Sequence, residues 1–215
     1  IDPDGTVLPE WRWKSAQQRA VASEIVAMAD QGAVVTGYTA QPDFHEGGGF
    51  YTVRFDADGK VVFVDFEGGK LDSPLSEARV RIDGDGNAIV VASPESRTGG
   101  GTPAAMAWKI APAGKRLWTV ELSDPSSFET TFANGPIASA PDGDVLVAVS
   151  DHRVDGVRVI RLNGDDGSVA LNYESEVEVM PVTLARAANG RALAGGYQGS
   201  GSTYTAGVVE FTADG

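Results

Sequence analysis

The spacing of certain glycines constrains this chain more than any other feature. Gly5, Gly59, Gly114, Gly167 and Gly215 each close an alternating apolar run and follow one another at intervals of 54, 55, 53 and 48 residues. Four of them are preceded by aspartate (Asp4, Asp58, Asp166, Asp214), and the remaining pair is Ala113-Gly114. Asp-Gly supplies the positive φ angles that a tight hairpin turn needs at low steric cost. Similar turns at so regular a distance mark an internal repeat.

The residues around those turns predict its strands. Val53-Arg54-Phe55 recurs as Trp108-Lys109-Ile110, Ile160-Arg161-Leu162 and Val209-Glu210-Phe211 just ahead of the turns. One face is apolar and the other charged, the period of two that belongs to a strand. A further strand follows each turn, read as KVVFVDF from Lys60, KRLWTVEL from Lys115, SVALNY from Ser168 and TVLPEWRW from Thr6. Upstream, the eight-residue windows from Gln31, Gly86, Gly143 and Gly190 align without gaps as nearly continuous small and apolar runs, which is how a strand covered on both faces reads. A shorter apolar run precedes each window: Ile25 to Ala29, Ala78 to Ile82, Pro136 to Ala140 and Val182 to Ala187. Between Ser15 and Asp30 a helical spacing competes, but the equivalent runs are too short and too proline-bounded for helices, so a strand is predicted there as well.

Each unit therefore reads as a four-stranded antiparallel sheet of roughly 54 residues, and such a sheet cannot cover both its faces alone. Stacking face to face around an axis protects faces and edges together, so the expected fold is an all-β β-propeller. The units run from about 15–67, 76–122, 135–173 and 180–215 within one array over 1–215. Residues 6–13 form an offset fourth strand with no blade of its own, and the last unit lacks its fourth. Two solutions follow: a four-bladed ring closed by that strand, or half of a larger ring completed by a second copy or by more chain.

The formal charge of −13 repels phosphate backbones and anionic lipid heads, which makes nucleic acid and membrane surfaces poor partners. No apolar stretch approaches the roughly 20 residues of a membrane-spanning helix. With no cysteine, disulfides, thiolate catalysis and Cys-ligated metal are excluded. No signal-peptide pattern opens the sequence.

VTGYT from Val35, IDGDGNAIV from Ile82 and AGKRLW from Ala113 resemble bacterial β-propeller repeats of the SBBP type and, less closely, quinoprotein-dehydrogenase-like repeats. The resemblance covers nearly the whole chain, reflects blade construction and carries no catalytic residue. It implies an exported propeller of bacterial type, extracellular, periplasmic or at the cell surface.

In such a fold the loops between second and third strands share one face, where function is expected. They run from Tyr38 to Gly49, Ser93 to Pro103, Asp151 to Gly156 and Gln198 to Ala206. Both histidines, His45 and His152, lie there, though no short ligand spacing ties them into a metal site and solvated loop histidines are the plainer reading. Tyr38, Phe44, Tyr197 and Tyr204, with Arg97 and Arg153, are candidates for a recognition surface, since aromatics and arginine anchor interfaces; Tyr38 and Tyr197 end buried strands and also suit packing. Asp83, Asp85 and Asn87 have the opening cadence of a calcium loop. Pro94 stands where an EF-hand needs its bidentate glutamate, and a polar turn explains the same residues.

No nucleophile elbow, phosphate loop or His-Glu-x-x-His motif is present. The expected function is therefore a non-catalytic module that binds protein or glycan through its loop face or serves as structure, without a cofactor. The alternatives are a fragment of a propeller enzyme, quinoprotein-like or glycan-active, and a lectin; four loops of unlike length and composition count against the lectin.

Overall fold

A computed structural model describes residues 11–14, 19–40, 48–68, 77–93, 105–122, 131–132, 136–140, 143–151, 156–175, 179–186, 191–198 and 205–211. Among them every regular element is a strand. The first sheet is β1 (Arg19–Ala27), β2 (Ala33–Ala40), β3 (Gly49–Phe55) and β4 (Val61–Gly68), paired in that order and antiparallel. The second repeats it with β5 (Glu77–Ile82), β6 (Ala88–Ser93), β7 (Met106–Ile110) and β8 (Arg116–Glu121). In the third, β10 (Ile137–Ser139), β11 (Val145–Asp151), β12 (Gly156–Leu162) and β13 (Val169–Ser175) pair in series, and the two-residue β9 (Thr131–Phe132) joins β11 beside β10. The fourth sheet has three strands, β14 (Met180–Arg186), β15 (Ala192–Gln198) and β16 (Thr205–Phe211). These are the blades of a β-propeller.

The innermost strand departs in detail from its expected form. In the first blade it is a nine-residue strand with a bulge between Ala22 and Glu24, longer than the apolar run suggested. In the third the described parts are the three-residue β10 and the two-residue β9, each paired with β11, and Pro136, which has no N–H to offer a ladder, stands just before β10. The stretch in which a helix competed is strand throughout Arg19–Ala27.

The blades stack in chain order, and one face of each meets the opposite face of the next. Val34 and Phe50 of the first blade pack against Ala78, Val80, Val90 and Trp108 of the second. Ile89, Val91 and Trp118 on the second blade's other face meet Val145, Val147 and Ile160 of the third. Leu146, Val159 and Tyr173 then meet Leu184, Ala194 and Val209 of the fourth. The innermost strands follow the same order, β1 beside β5, β5 beside β10 and β10 beside β14, and no packing of that kind joins β14 to β1. The continuous apolar windows have the expected consequence in the middle of the stack. Ala88 to Ala92 and Val145 to Val149 are buried on both faces.

Gly59, Gly114 and Gly167 sit in tight hairpins between third and fourth strands. Gly59 donates its N–H to the carbonyl of Asp56 and Gly114 donates to that of Ala111. Each hairpin has one positive φ, 76° at Gly59, 89° at Gly114 and 75° at Gly167, with a ladder shift beside it. In the first two, that is a three-residue loop with a glycine bulge.

Candidate functional site: the loop face and the clamps opposite it

Because the strands alternate in direction, the turns between first and second strands share one edge of the array with the 3–4 hairpins. The 2–3 loops lie at the other edge. At the turn edge the charged middle residue of each third strand finds its partner. Arg54 pairs with Asp30 of its own blade at 2.5 Å and donates to the Pro112 carbonyl in the hairpin of the next. Lys109 pairs with Asp83 at 2.9 Å and donates to the Gly164 carbonyl of the third blade, again at 2.9 Å. Arg161 pairs with Asp144 at 2.6 Å, and the other Asp144 oxygen accepts from the Gly164 amide. A base thus links a first-to-second turn to its own third strand and, in two blades, reaches the following hairpin.

An aromatic ring completes the junction. A Cβ placed on Gly114 would lie 2.6 Å from Phe63 of the preceding blade, and one on Gly167 would lie 2.8 Å from Trp118. Trp118 also donates its indole N–H to the Gly164 carbonyl at 3.0 Å. Glycine serves these hairpins twice, by taking the positive φ and by leaving room for the ring. Gly59 is covered in the same way by Trp11, whose ring would stand 2.3 Å from an added Cβ. Trp11 and Trp13 pack over Tyr51, Val53 and Phe55, the face of the first blade that points away from the second. Residues 1–10, most of the expected offset strand, lie outside the described residues, and Trp11 to Lys14 carry no ladder pairing.

The Asp83-Gly84-Asp85-Gly86-Asn87 segment is the turn between β5 and β6. Asp83 Oδ1 accepts from the Asp85 and Asn87 amides at 3.0 and 2.9 Å, and Oδ2 accepts from the Asn87 side chain at 2.9 Å. Asp56 receives the Asp58 and Lys60 amides in the same manner at 3.0 and 2.8 Å. The alternating oxygens therefore follow an aspartate turn that recurs elsewhere in the chain. The Lys109 ammonium sits on the Asp83 carboxylate, with side chains only 8% and 4% exposed. Burial would raise the Asp83 carboxyl, but hydrogen bonds from Asn87 and Lys109 outweigh it and hold the group below its usual range. Asp30 is held low as well, by the Gly32 amide and Arg54.

Elsewhere the carboxylates also hold framework bases. Glu24 on β1 takes Arg81 at 2.6 Å and the Val80 amide at 2.8 Å. Asp65 and Glu67 on β4 grip Arg116 of the second blade, whose guanidinium lies 5.5 Å from the Trp108 ring centre. Among the described residues no three His, Asp or Glu side chains gather as a metal-ligand set.

At the loop edge, Tyr38 and Tyr197 stand at equivalent strand ends with different surroundings. Tyr38 packs against the core between the first two blades, whereas Tyr197 on β15 is exposed. Arg158 on β12 is buried near this edge and donates to Asn172 at 3.2 Å. Phe44, His45, Arg97, His152, Arg153 and Tyr204 lie outside the described residues. The clamps were not singled out from the sequence, although the charged residue in the middle of each third-strand triplet was the available signal.

No family model matches the chain, and no curated protein does. The SBBP-type likeness therefore stays at the level of blade construction. Among solved structures the chain is similar to a gluconolactonase from Xanthomonas campestris, with 13% identity over 92% of this chain and 74% of that one and a TM-score of 0.44. A likeness that low carries no conclusion about activity.

Proposed function

We propose that the chain is a non-catalytic propeller module that engages a protein or glycan through the loop face. One observation carries the reading: six described carboxylates of the turn edge and of the inner and outer strands, Asp30, Asp83, Asp144, Glu24, Asp65 and Glu67, each hold a base of the framework, and Asp56 caps the amides of its own hairpin. A carboxylate whose oxygens are taken up by a fixed cation is poorly placed to receive a proton from a substrate, and Asp30 and Asp83 are in addition held below the usual carboxylate range. Chemical variety is left to the loops, where Phe44, His45, Arg97, His152, Arg153 and Tyr204 supply the aromatic and cationic side chains that anchor interfaces.

The test is a screen of the chain against arrayed glycans and peptides, followed by Phe44→Ala and Arg97→Ala. At least about tenfold loss of the best hit in either variant, with melting unchanged, is the expected result. A hit that both variants leave intact, or lactone or glycoside hydrolysis by the isolated chain, would overturn the reading.

A further inference from the structure

The junctions between blades are alike, and the two ends of the array are the two halves of one more. The fourth blade's far face carries Val182 (59% exposed), Val208 (71%) and Tyr197, with Leu193 between them. By its register this face corresponds to the one that the first three blades bury against a successor. The first blade's far face carries Ile25 (67% exposed), Val64 and Phe66 around the patch covered by Trp11 and Trp13. Ile25 holds the position of Val80, Ile137 and Leu184, which the second, third and fourth blades bury against a predecessor, whereas Val64 and Phe66 hold the positions of Thr119 and Glu121, which stay exposed at the outer rim of the second blade.

From this we infer that the far face of the fourth blade docks on the far face of the first blade of a second copy, so that two chains close one eight-bladed ring. Three observations point to that occupant. The chain's own first blade does not cover the face, since β14 and β1 lack the packing that joins the other innermost strands and Val182, Val208 and Ile25 remain exposed. Trp11 holds over Gly59 the place that Phe63 and Trp118, both on fourth strands, hold over the next hairpin. It thus marks where a preceding blade's fourth strand runs, and among the described residues the fourth blade is the one without such a strand.

Charge also matches. The third-strand base is replaced here by Glu210, which bonds Arg191 at 2.5 Å on the first-to-second turn. The cation has moved across the strand pair, and the hairpin it would face in a second copy carries Asp56 and Asp58, whereas Ala111-Pro112-Ala113-Gly114 carries no charge. A head-to-tail contact made twice is a closed two-fold ring, and eight blades lies within the range that propellers use.

Sedimentation of the 215-residue chain tests this directly. The expected species has about twice the chain mass of 22.4 kDa. Val208→Asp and Ile25→Asp, both at exposed positions, are each expected to weaken self-association at least about tenfold with melting of the monomer unchanged. Mixing the two variants restores one intact junction and is expected to recover pairing in part. A strict monomer at all concentrations, a dimer indifferent to both substitutions, or open assemblies beyond two copies would overturn the inference.

Discussion

The middle of the stack and its last blade have the same strands in the same order, yet they are held differently. In the second and third blades both faces of the second strand are covered, and the base on the third strand is buried or half-buried against a turn carboxylate. In the fourth blade one face is covered, the pair is reversed to Arg191 and Glu210, and both side chains are close to half exposed. The repeat thus specifies a blade, but the stability of a blade comes from its neighbours, as expected of a stacked array. Tyr38 and Tyr197 show this in one residue type: the same strand end packs where a successor is present and is exposed where none is.

The sharpest way to break this comparison is to remove the same clamp residue in both places. Lys109→Ala leaves Asp83 buried without its cation and is expected to cost about 3–5 kcal/mol, read from urea unfolding. Glu210→Gln in the fourth blade should cost less than about 1 kcal/mol, because an exposed pair is largely screened. Equal losses would mean that burial does not separate the two regions.

Glycines at two turns separate strain from packing. Gly143 has φ 88° with open space around an added Cβ, so Gly143→Ala should cost about 1–2 kcal/mol from backbone strain alone. Gly167→Ala adds the displacement of Trp118 and is expected to cost at least about 1 kcal/mol more in the same unfolding measurement.

Acid sharpens the contrast further. Asp83 has a lowered folded-state pKa, so its contribution is present above the unfolded carboxyl value of about 4 and is lost as pH falls through the lower folded value. Stability followed from pH 6 to pH 2 should fall less steeply in Asp83→Asn than in the native chain. The smallest effect is a gain. Gln31 holds φ 65° at the position where the second and third blades have Gly86 and Gly143, so Gln31→Gly is expected to raise stability by up to about 1 kcal/mol in urea unfolding.

Much of the blade was legible because turns and strand periods are local. The glycine intervals, the alternating third strands and the apolar second strands correspond to hairpins, ladders and a doubly covered layer. The clamps were not, because their carboxylates come from different places in the turn. Asp83 lies three residues before Gly86, Asp30 one before Gln31 and Asp144 one after Gly143, and only folding brings each to the base. Trp11 was hidden for a similar reason, standing six residues after its glycine where Phe63 and Trp118 stand four after theirs. Of the candidate site, Tyr38, Tyr197 and the Asp83 turn are the described parts. The aspartate cadence, which has the opening of a calcium loop and equally that of a polar turn, folds as a turn in which Asp83 caps the Asp85 and Asn87 amides.

Native-state hydrogen exchange on the Val208→Asp chain, kept dilute so that no second copy covers the last blade, tests the central claim most directly. The amides of Ala88 to Ala92 and Val145 to Val149 should exchange only with global unfolding, while those of Thr205 to Phe211 exchange through a smaller opening of the fourth blade. Equal protection of the three strands, or the strongest protection in β16, would contradict the claim that each blade is held by what lies on both sides of it.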